Sequence, residues 1–414
     1  MVFLFFRFSG LHEVVTVKFG FNTYVLYIFG VPAILCLLLS DGIARTMRAR
    51  QSKYWVGFAC FLIASTPFSD WRGGSVPLVM TYMRTDFIVL FLIAGLVMTW
   101  QECWRLLSML SIAAVVTILL GMFFKAETMG GDERLSVASG LTMGNANDYA
   151  AVLALLLPFL ALVVITPGRN FLLRGVAMSG FLFGLYMMLS TGSRGGGIAI
   201  LAALILTIFR LPPIKAIGVT VTALVIGFAM FQILPRSITE RLVTFLQSDN
   251  AAMSDATESG ESRQYLLEKS LLFTVQHPLF GVGPGEFADH EGLEAVAAGR
   301  RGNWHATHNT YTQVSSEVGI PAALFFLAAL FSTYRLLTTT LKQVRARKPS
   351  RQNATMAAGI LCVLIGAVAF YFTSFFLSLA YRFYFPALTG IAIVLTGAVK
   401  RELGIDERNP YAVR

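Results

Sequence analysis

The feature that most constrains this chain is a succession of uninterrupted apolar runs, each close to the roughly 20 residues a helix needs to cross a bilayer. They fall near residues 20–40, 54–68, 86–100, 104–124, 146–165, 171–190, 195–210, 214–234, 318–337, 355–378 and 383–399, eleven in all. None alternates apolar with polar residues as a barrel strand would. An open strand could not satisfy its backbone in lipid, so the runs predict helices. Composition agrees: of 414 residues 56% are hydrophobic and 14% charged, against about 25% charged in a soluble domain. The expected fold is an all-α polytopic membrane protein with about 11–12 transmembrane helices. An N-terminal bundle (1–234) precedes a long polar loop (235–308), and a C-terminal group of helices and a tail (309–414) follow.

Charge orients the chain. The gaps at 41–53, 101–105, 166–174, 210–215 and 335–351, with the tail from Lys400, hold 19 Lys and Arg, whereas the short gaps on the opposite side hold 8. By the positive-inside rule the first set is cytoplasmic and the long loop lies outside, which in a bacterium means a multi-pass inner-membrane protein with a periplasmic loop. The same dispersal disposes of a nucleic-acid partner. A net charge of +10 is spread over many gaps, and the cluster Lys342, Arg345, Arg347, Lys348 and Arg351 serves as a topology anchor. No internal repeat of the kind built into many secondary transporters is apparent. Cys36, Cys60, Cys103 and Cys362 all lie in or beside apolar runs, so neither a disulfide framework nor a thiolate metal site is indicated. The N-terminal stretch, apolar from Val2 to Phe6 and then charged at Arg7, Glu13 and Lys18, reads as an interfacial segment or a truncated first helix.

Within the loop, Ser237-Ile238-Thr239-Glu240 has capping-box spacing for a short helix to about Leu246. Residues 248–262, rich in Ser, Asp, Ala and Gly, read as flexible. A second amphipathic helix is expected from Arg263 to Gln276, with Leu266, Leu267, Ser270, Leu271 and Phe273 leaning on the membrane or the bundle, and Pro278 ending it.

Polar residues from distant segments face the loop's compartment: Arg134, Asn145 and Asn147 before the fifth run, Ser193 and Arg194 between the sixth and seventh, Arg263, His305, His308 and Asn309 in the loop, and Glu317 after it. Arg194 opens a run of 15 residues, Gly195 to Phe209. Such a helix is about 22 Å long, shorter than a hydrocarbon core of about 30 Å, so the arginine is drawn below the interface, where a cation wants an anion or a polar cavity. Snorkelling to headgroups is the plainer alternative. His308 suits a general base, since an imidazole titrates near neutrality; a zinc pair with His305, completed from Asp289, His290 or Glu291, and a purely structural loop histidine are the other readings. Ser193 with His308 lacks the small-residue pattern of an intramembrane serine protease, and Gly281-Val282-Gly283-Pro284-Gly285, broken by proline, is no dinucleotide fingerprint. Glu317 either orients a catalytic group or reaches the interface.

Taken in order, Arg134 with Gly144-Asn145-Ala146-Asn147-Asp148, Thr191-Gly192-Ser193-Arg194-Gly195, Arg263 ahead of His277-Pro278-Leu279-Phe280-Gly281-Val282-Gly283, and His308-Asn309-Thr310-Tyr311 before Glu317-Val318-Gly319-Ile320-Pro321 resemble the O-antigen ligase superfamily over about residues 130–340. The resemblance implies a metal-independent glycosyltransferase, without cofactors, that takes a glycan from an undecaprenyl diphosphate carrier at the periplasmic face. The acceptor would be a hydroxyl of lipid A core, of another glycan or of a protein, which leaves ligase and polymerase both open. Arg194 and Arg263 look like the pair that binds the carrier diphosphate, and His308 like the base that activates the acceptor. The remaining candidates would line the substrate site. A transporter or flippase of the same lipid-linked glycan is the reading from a different class, using the arginines to hold diphosphate without cleaving it.

Overall fold

The computed structural model describes residues 1–126, 134–140, 142–236, 238–239, 253–300, 302 and 304–405, with backbone alone over 253–262. All eleven apolar runs are helical. Two short helices, α1 (Val2–Ser9) and α2 (Leu11–Phe19), lead into α3 (Val25–Leu39), α4 (Gly42–Arg48), α5 (Arg50–Ser65), α6 (Arg72–Leu96) and α7 (Trp100–Phe123). Then come α8 (Ala146–Ile165), α9 (Phe171–Ser190), α10 (Arg194–Arg210) and α11 (Pro213–Ile233). The loop region carries α12 (Met253–Gln276), α13 (Phe287–Ala297) and α14 (Thr310–Glu317), and the chain closes with α15 (Ile320–Arg345), α16 (Arg351–Thr373) and α17 (Tyr384–Glu402).

The chain is an all-α polytopic membrane protein. Among the described residues seven helices are long and apolar enough to cross a membrane, or eight if α3 and α4, bent by 76°, form one span. The other expected spans fall short for visible reasons: α5 has 16 residues and α10 has 17, and α17 runs into Lys400, Arg401 and Glu402. Helix α8 is the hub, packed against α7, α9 and α16. Beside it Trp55, Phe58, Phe326, Phe370 and Phe385 interlock largely edge to face. The buried indole of Trp55 donates to Thr389 Oγ1 at 2.9 Å, so its one polar atom is satisfied inside the bundle.

One expectation fails in the N-terminal half. The run at 86–100 belongs to a helix that begins at Arg72, through Pro77 and a π-helical turn at Tyr82–Phe87, and stops at Leu96. Polar Arg84 and Asp86 hide that helix from an apolar count. The buried Asp86 carboxylate is answered from α1: Arg7 Nη2 donates to its Oδ1 at 2.6 Å. The N-terminal segment is helical and packs into the bundle, with Leu4, Phe8 and Val14 buried and α1 on α7. Arg7→Ala leaves a buried carboxylate without its cation, and removing one partner of such a pair costs about 3–5 kcal/mol. A thermal melt in detergent should register that loss, and restoring neutrality with Asp86→Asn on the same background should recover part of it.

In the loop, α12 starts at Met253, so residues 253–262 are helical, while 248–252 of the stretch expected to be flexible lie outside the described residues. The expected capping-box helix at 237–246 lies mostly outside the described residues. Helix α12 ends at Gln276, as Pro278 predicts, and buries Leu266, Ser270 and Phe273, while Leu267 and Leu271 stay exposed.

The gaps that charge assigns to one side meet at one end of the bundle. Arg45 donates to Gly95 O and Arg401 to Met98 O. Arg351 Nη2 donates to Pro167 O at 3.1 Å and Arg345 Nη1 to Arg210 O at 2.7 Å. Each places a cation on carbonyls at or just past a helix C-terminus, where the dipole is negative.

Candidate active site

At the other end, the chain around His308 hangs on the link between α16 and α17. The His308 N–H donates to Ser378 Oγ at 2.9 Å, and the Thr307 and Ser378 hydroxyls lie 3.1 Å apart. Thr310 Oγ1 donates to Leu377 O at 2.6 Å and accepts from Leu379 N at 3.0 Å, and Gln313 Oε1 accepts from Ala380 N at 3.2 Å. Held this way, His308 sits at φ +50°, in the left-handed region that few non-glycine residues occupy. Such a conformation persists only when its surroundings over-determine it, and it fixes where the ring leaves the backbone.

Burial lowers the His308 pKa from its ordinary value, and the nearby charges of Arg263 and His305 lower it further. A half-buried imidazole so placed is neutral over more of the pH range and can accept a proton. Its ring centroid lies 6.4 Å from that of the exposed His305. Among the described residues no group of three or more His, Cys, Asp or Glu is arranged to hold a metal ion. His290, one of the residues that could complete a zinc site, pairs with Asp70 instead.

The same link reaches Arg194. Helices α9 and α10 are joined by Thr191–Ser193, with Gly192 at φ +59° making the turn. Ser193 Oγ accepts from Gly196 N at 3.2 Å and caps α10. Arg194 follows as the first helical residue. A β-carbon on Gly195 would lie 3.0 Å from the Phe376 ring, two residues ahead of Ser378 in the link. The Arg194 side chain takes part in no hydrogen bond or ion pair among the described residues and is half-buried. With 17 residues α10 is about 25 Å long, still shorter than a hydrocarbon core.

Arg134 braces this corner: Nε donates to Thr191 O at 2.9 Å and Nη2 to Asn147 Oδ1 at 2.7 Å. Asn145 caps α8 by accepting from Asn147 N at 2.8 Å, and Asn309 caps α14 by accepting from Tyr311 N at 3.0 Å. These side chains hold the corner together through bonds within the protein. Arg263, half-buried on α12, joins His308 through its charge.

Glu317 belongs to a separate node. It is 3% exposed and accepts from Tyr381 Oη at 2.6 Å and Gly285 N at 3.0 Å, and burial raises its pKa to about 7. Around it the segment from Pro278 folds onto the end of α14: Val282 N donates to Ser316 O, Gly283 N to Glu317 O and Ile320 N to Pro278 O. Gly281, at φ +65°, would put a β-carbon 2.2 Å from the Glu317 carbonyl carbon, and Gly319, at φ +96°, one 2.3 Å from Leu279 O. Only glycine permits these approaches. Glu317 thus fastens the loop to the bundle.

Sequence reasoning missed Ser378, which sits at the end of an apolar run and belongs to no motif.

Comparison with known proteins falls on the same region. Residues 179–327, which contain Arg194, Arg263 and His308, match the model of a family described as O-Antigen ligase. The chain is also 25% identical over 307 residues, 70% of its own length, to the teichuronic acid biosynthesis protein TuaE of Bacillus subtilis (strain 168). It spans 61% of that relative's length.

Proposed function

The chain is a member of the O-antigen ligase superfamily, and on that premise we propose that it is a membrane glycosyltransferase of surface polysaccharide assembly. It moves a glycan from an undecaprenyl diphosphate carrier to an acceptor hydroxyl at the outer face of a bacterial inner membrane. The observation that carries this reading is the convergence on one link: Gly195 packs on Phe376 while Ser378 holds the His308 backbone. A cation without a hydrogen-bond or ion-pair partner among the described residues and a neutral-leaning base are thereby gathered from segments over a hundred residues apart.

The chemistry follows from the groups. Arg194 and Arg263 bind the carrier's diphosphate, for which a guanidinium has matching donors in a planar fork. His308 takes the acceptor hydroxyl proton as its oxygen attacks the anomeric carbon. A glycosidic bond forms, the bond from that carbon to phosphate breaks, and undecaprenyl diphosphate leaves with its added negative charge facing the arginines. Arg194 opens α10, so the positive end of a helix dipole supports the same charge. No metal or nucleotide takes part. The isoprenoid tail needs lipid, which accounts for a site built on spans.

The acceptor is the open variable. TuaE is a teichuronic acid biosynthesis protein, a relative in surface polysaccharide assembly, and both a growing glycan and lipid A core are to be tested as acceptors. Purified protein in nanodiscs with EDTA should consume undecaprenyl diphosphate-linked oligosaccharide when lipid A core or excess carrier-linked glycan is offered separately. The acceptor consumed separates ligase from polymerase. Carrier bound but never turned over with any hydroxyl acceptor, protein included, would sink the transferase reading in favour of a transporter.

A further inference from the structure

Arg382 stands in the link between α16 and α17 with both neighbours fixed. Tyr381 Oη donates to Glu317 at 2.6 Å, and Phe383 N donates to Asp86 Oδ1 at 3.0 Å. The Arg7 guanidinium lies 4.3 Å above the Phe383 ring, so the buried Arg7–Asp86 pair clamps the residue beside Arg382 from two directions. Four residues earlier, Ser378 holds the His308 N–H. The backbone of Arg382 is therefore set relative to the histidine by short, saturated contacts.

Its side chain is the opposite. The half-buried guanidinium makes no hydrogen bond or ion pair among the described residues, although Arg7 and Arg134 at the same end have theirs. Asp148, half-buried in the first turn of α8, feels the Arg382 charge, yet no contact ion pair forms between them. A structural pair worth its desolvation would close to direct, hydrogen-bonded contact, and donors left open in a half-buried place carry a cost. A fixed backbone, open donors and a carboxylate held at a distance describe an anion site with its resting counter-charge nearby.

We propose that Arg382 is a further carrier-binding residue, donating to a phosphate of the lipid-linked diphosphate, and that Asp148 balances its charge only until that phosphate arrives. This rests on the carrier reading above. Phosphate of an ordinary headgroup offers the same chemistry, so the bilayer must be controlled. The two residues then have opposite effects on carrier binding. Arg382→Gln removes the donor, whereas Asp148→Asn removes both a competitor for the guanidinium and a negative charge facing the diphosphate.

The test is the Kd of undecaprenyl diphosphate for wild type, Arg382→Gln, Arg382→Lys and Asp148→Asn in nanodiscs of phosphatidylcholine alone and with phosphatidylglycerol. Loss of a charge-assisted fork should weaken binding about 10- to 100-fold in Arg382→Gln, with Lys between. Asp148→Asn should tighten it several-fold, a gain that a merely destabilised protein cannot produce. Weakening by phosphatidylglycerol in wild type but not in Arg382→Gln, with equal Kd values in phosphatidylcholine, would mean that Arg382 serves headgroups and overturns the proposal. Equal values everywhere, or weaker binding in Asp148→Asn, overturn it too while the carrier reading stands. No carrier binding by wild type brings down both.

Discussion

His308→Ala should abolish glycan transfer while leaving carrier binding within about twofold of wild type. Removing a positioned general base costs about 10²–10⁴ in rate, and nothing about the ring places it among the diphosphate contacts. The backbone supports the same separation. Ser378 receives the N–H of residue 308, which alanine keeps, so the link and α14 stay fastened. The expected signature is a fall in kcat with the Kd for undecaprenyl diphosphate unchanged. Activity that survives the substitution would remove the base from the mechanism and turn the site toward transport.

The pH profile supplies an independent sign. A base works in its neutral form, so kcat/KM falls on the acid side as His308 becomes protonated. Burial first, then Arg263 and His305, lower its pKa, which puts that acid limb below the ordinary histidine value near 6.5. Removing the charge of a neighbour must raise the pKa again. His305→Gln should therefore move the limb toward higher pH without abolishing turnover.

Helices and sides were the legible part of this chain. Lipid demands helices, so apolar length alone located all eleven runs, and the basic gaps matched by charge do meet at one end through Arg45, Arg345, Arg351 and Arg401. Helix α6 was misread for the same reason that the others were read: Asp86 lowers the apolar signal, and its partner Arg7 is 79 residues away. The candidates Arg194, Arg263 and His308 carried motifs, whereas Arg382 had none. Its meaning depends on Tyr381 and Phe383 being clamped by Glu317 and Asp86, contacts that no local pattern encodes. Ser193 and Asn309, prominent in the motifs, also each cap a helix.

Arg194→Ala should be the second severe variant, with a different kinetic shape. The half-buried Arg194 has no side-chain hydrogen bond or ion pair among the described residues, so the substitution removes no bond among them, and the melting temperature should stay near that of wild type. What it removes is a charge at the first turn of α10, which leaves the helix's positive end to act alone. A charge-assisted fork to phosphate contributes about 1.5–3 kcal/mol, or roughly 10- to 100-fold. Since leaving-group charge grows as the bond to phosphate breaks, part of that loss falls on kcat as well as on carrier Kd. Arg194→Lys keeps the charge but loses the planar fork, and should recover binding more than turnover. A carrier Kd and kcat both unchanged in Arg194→Ala would return this residue to a snorkelling role and leave the diphosphate to Arg263 and Arg382.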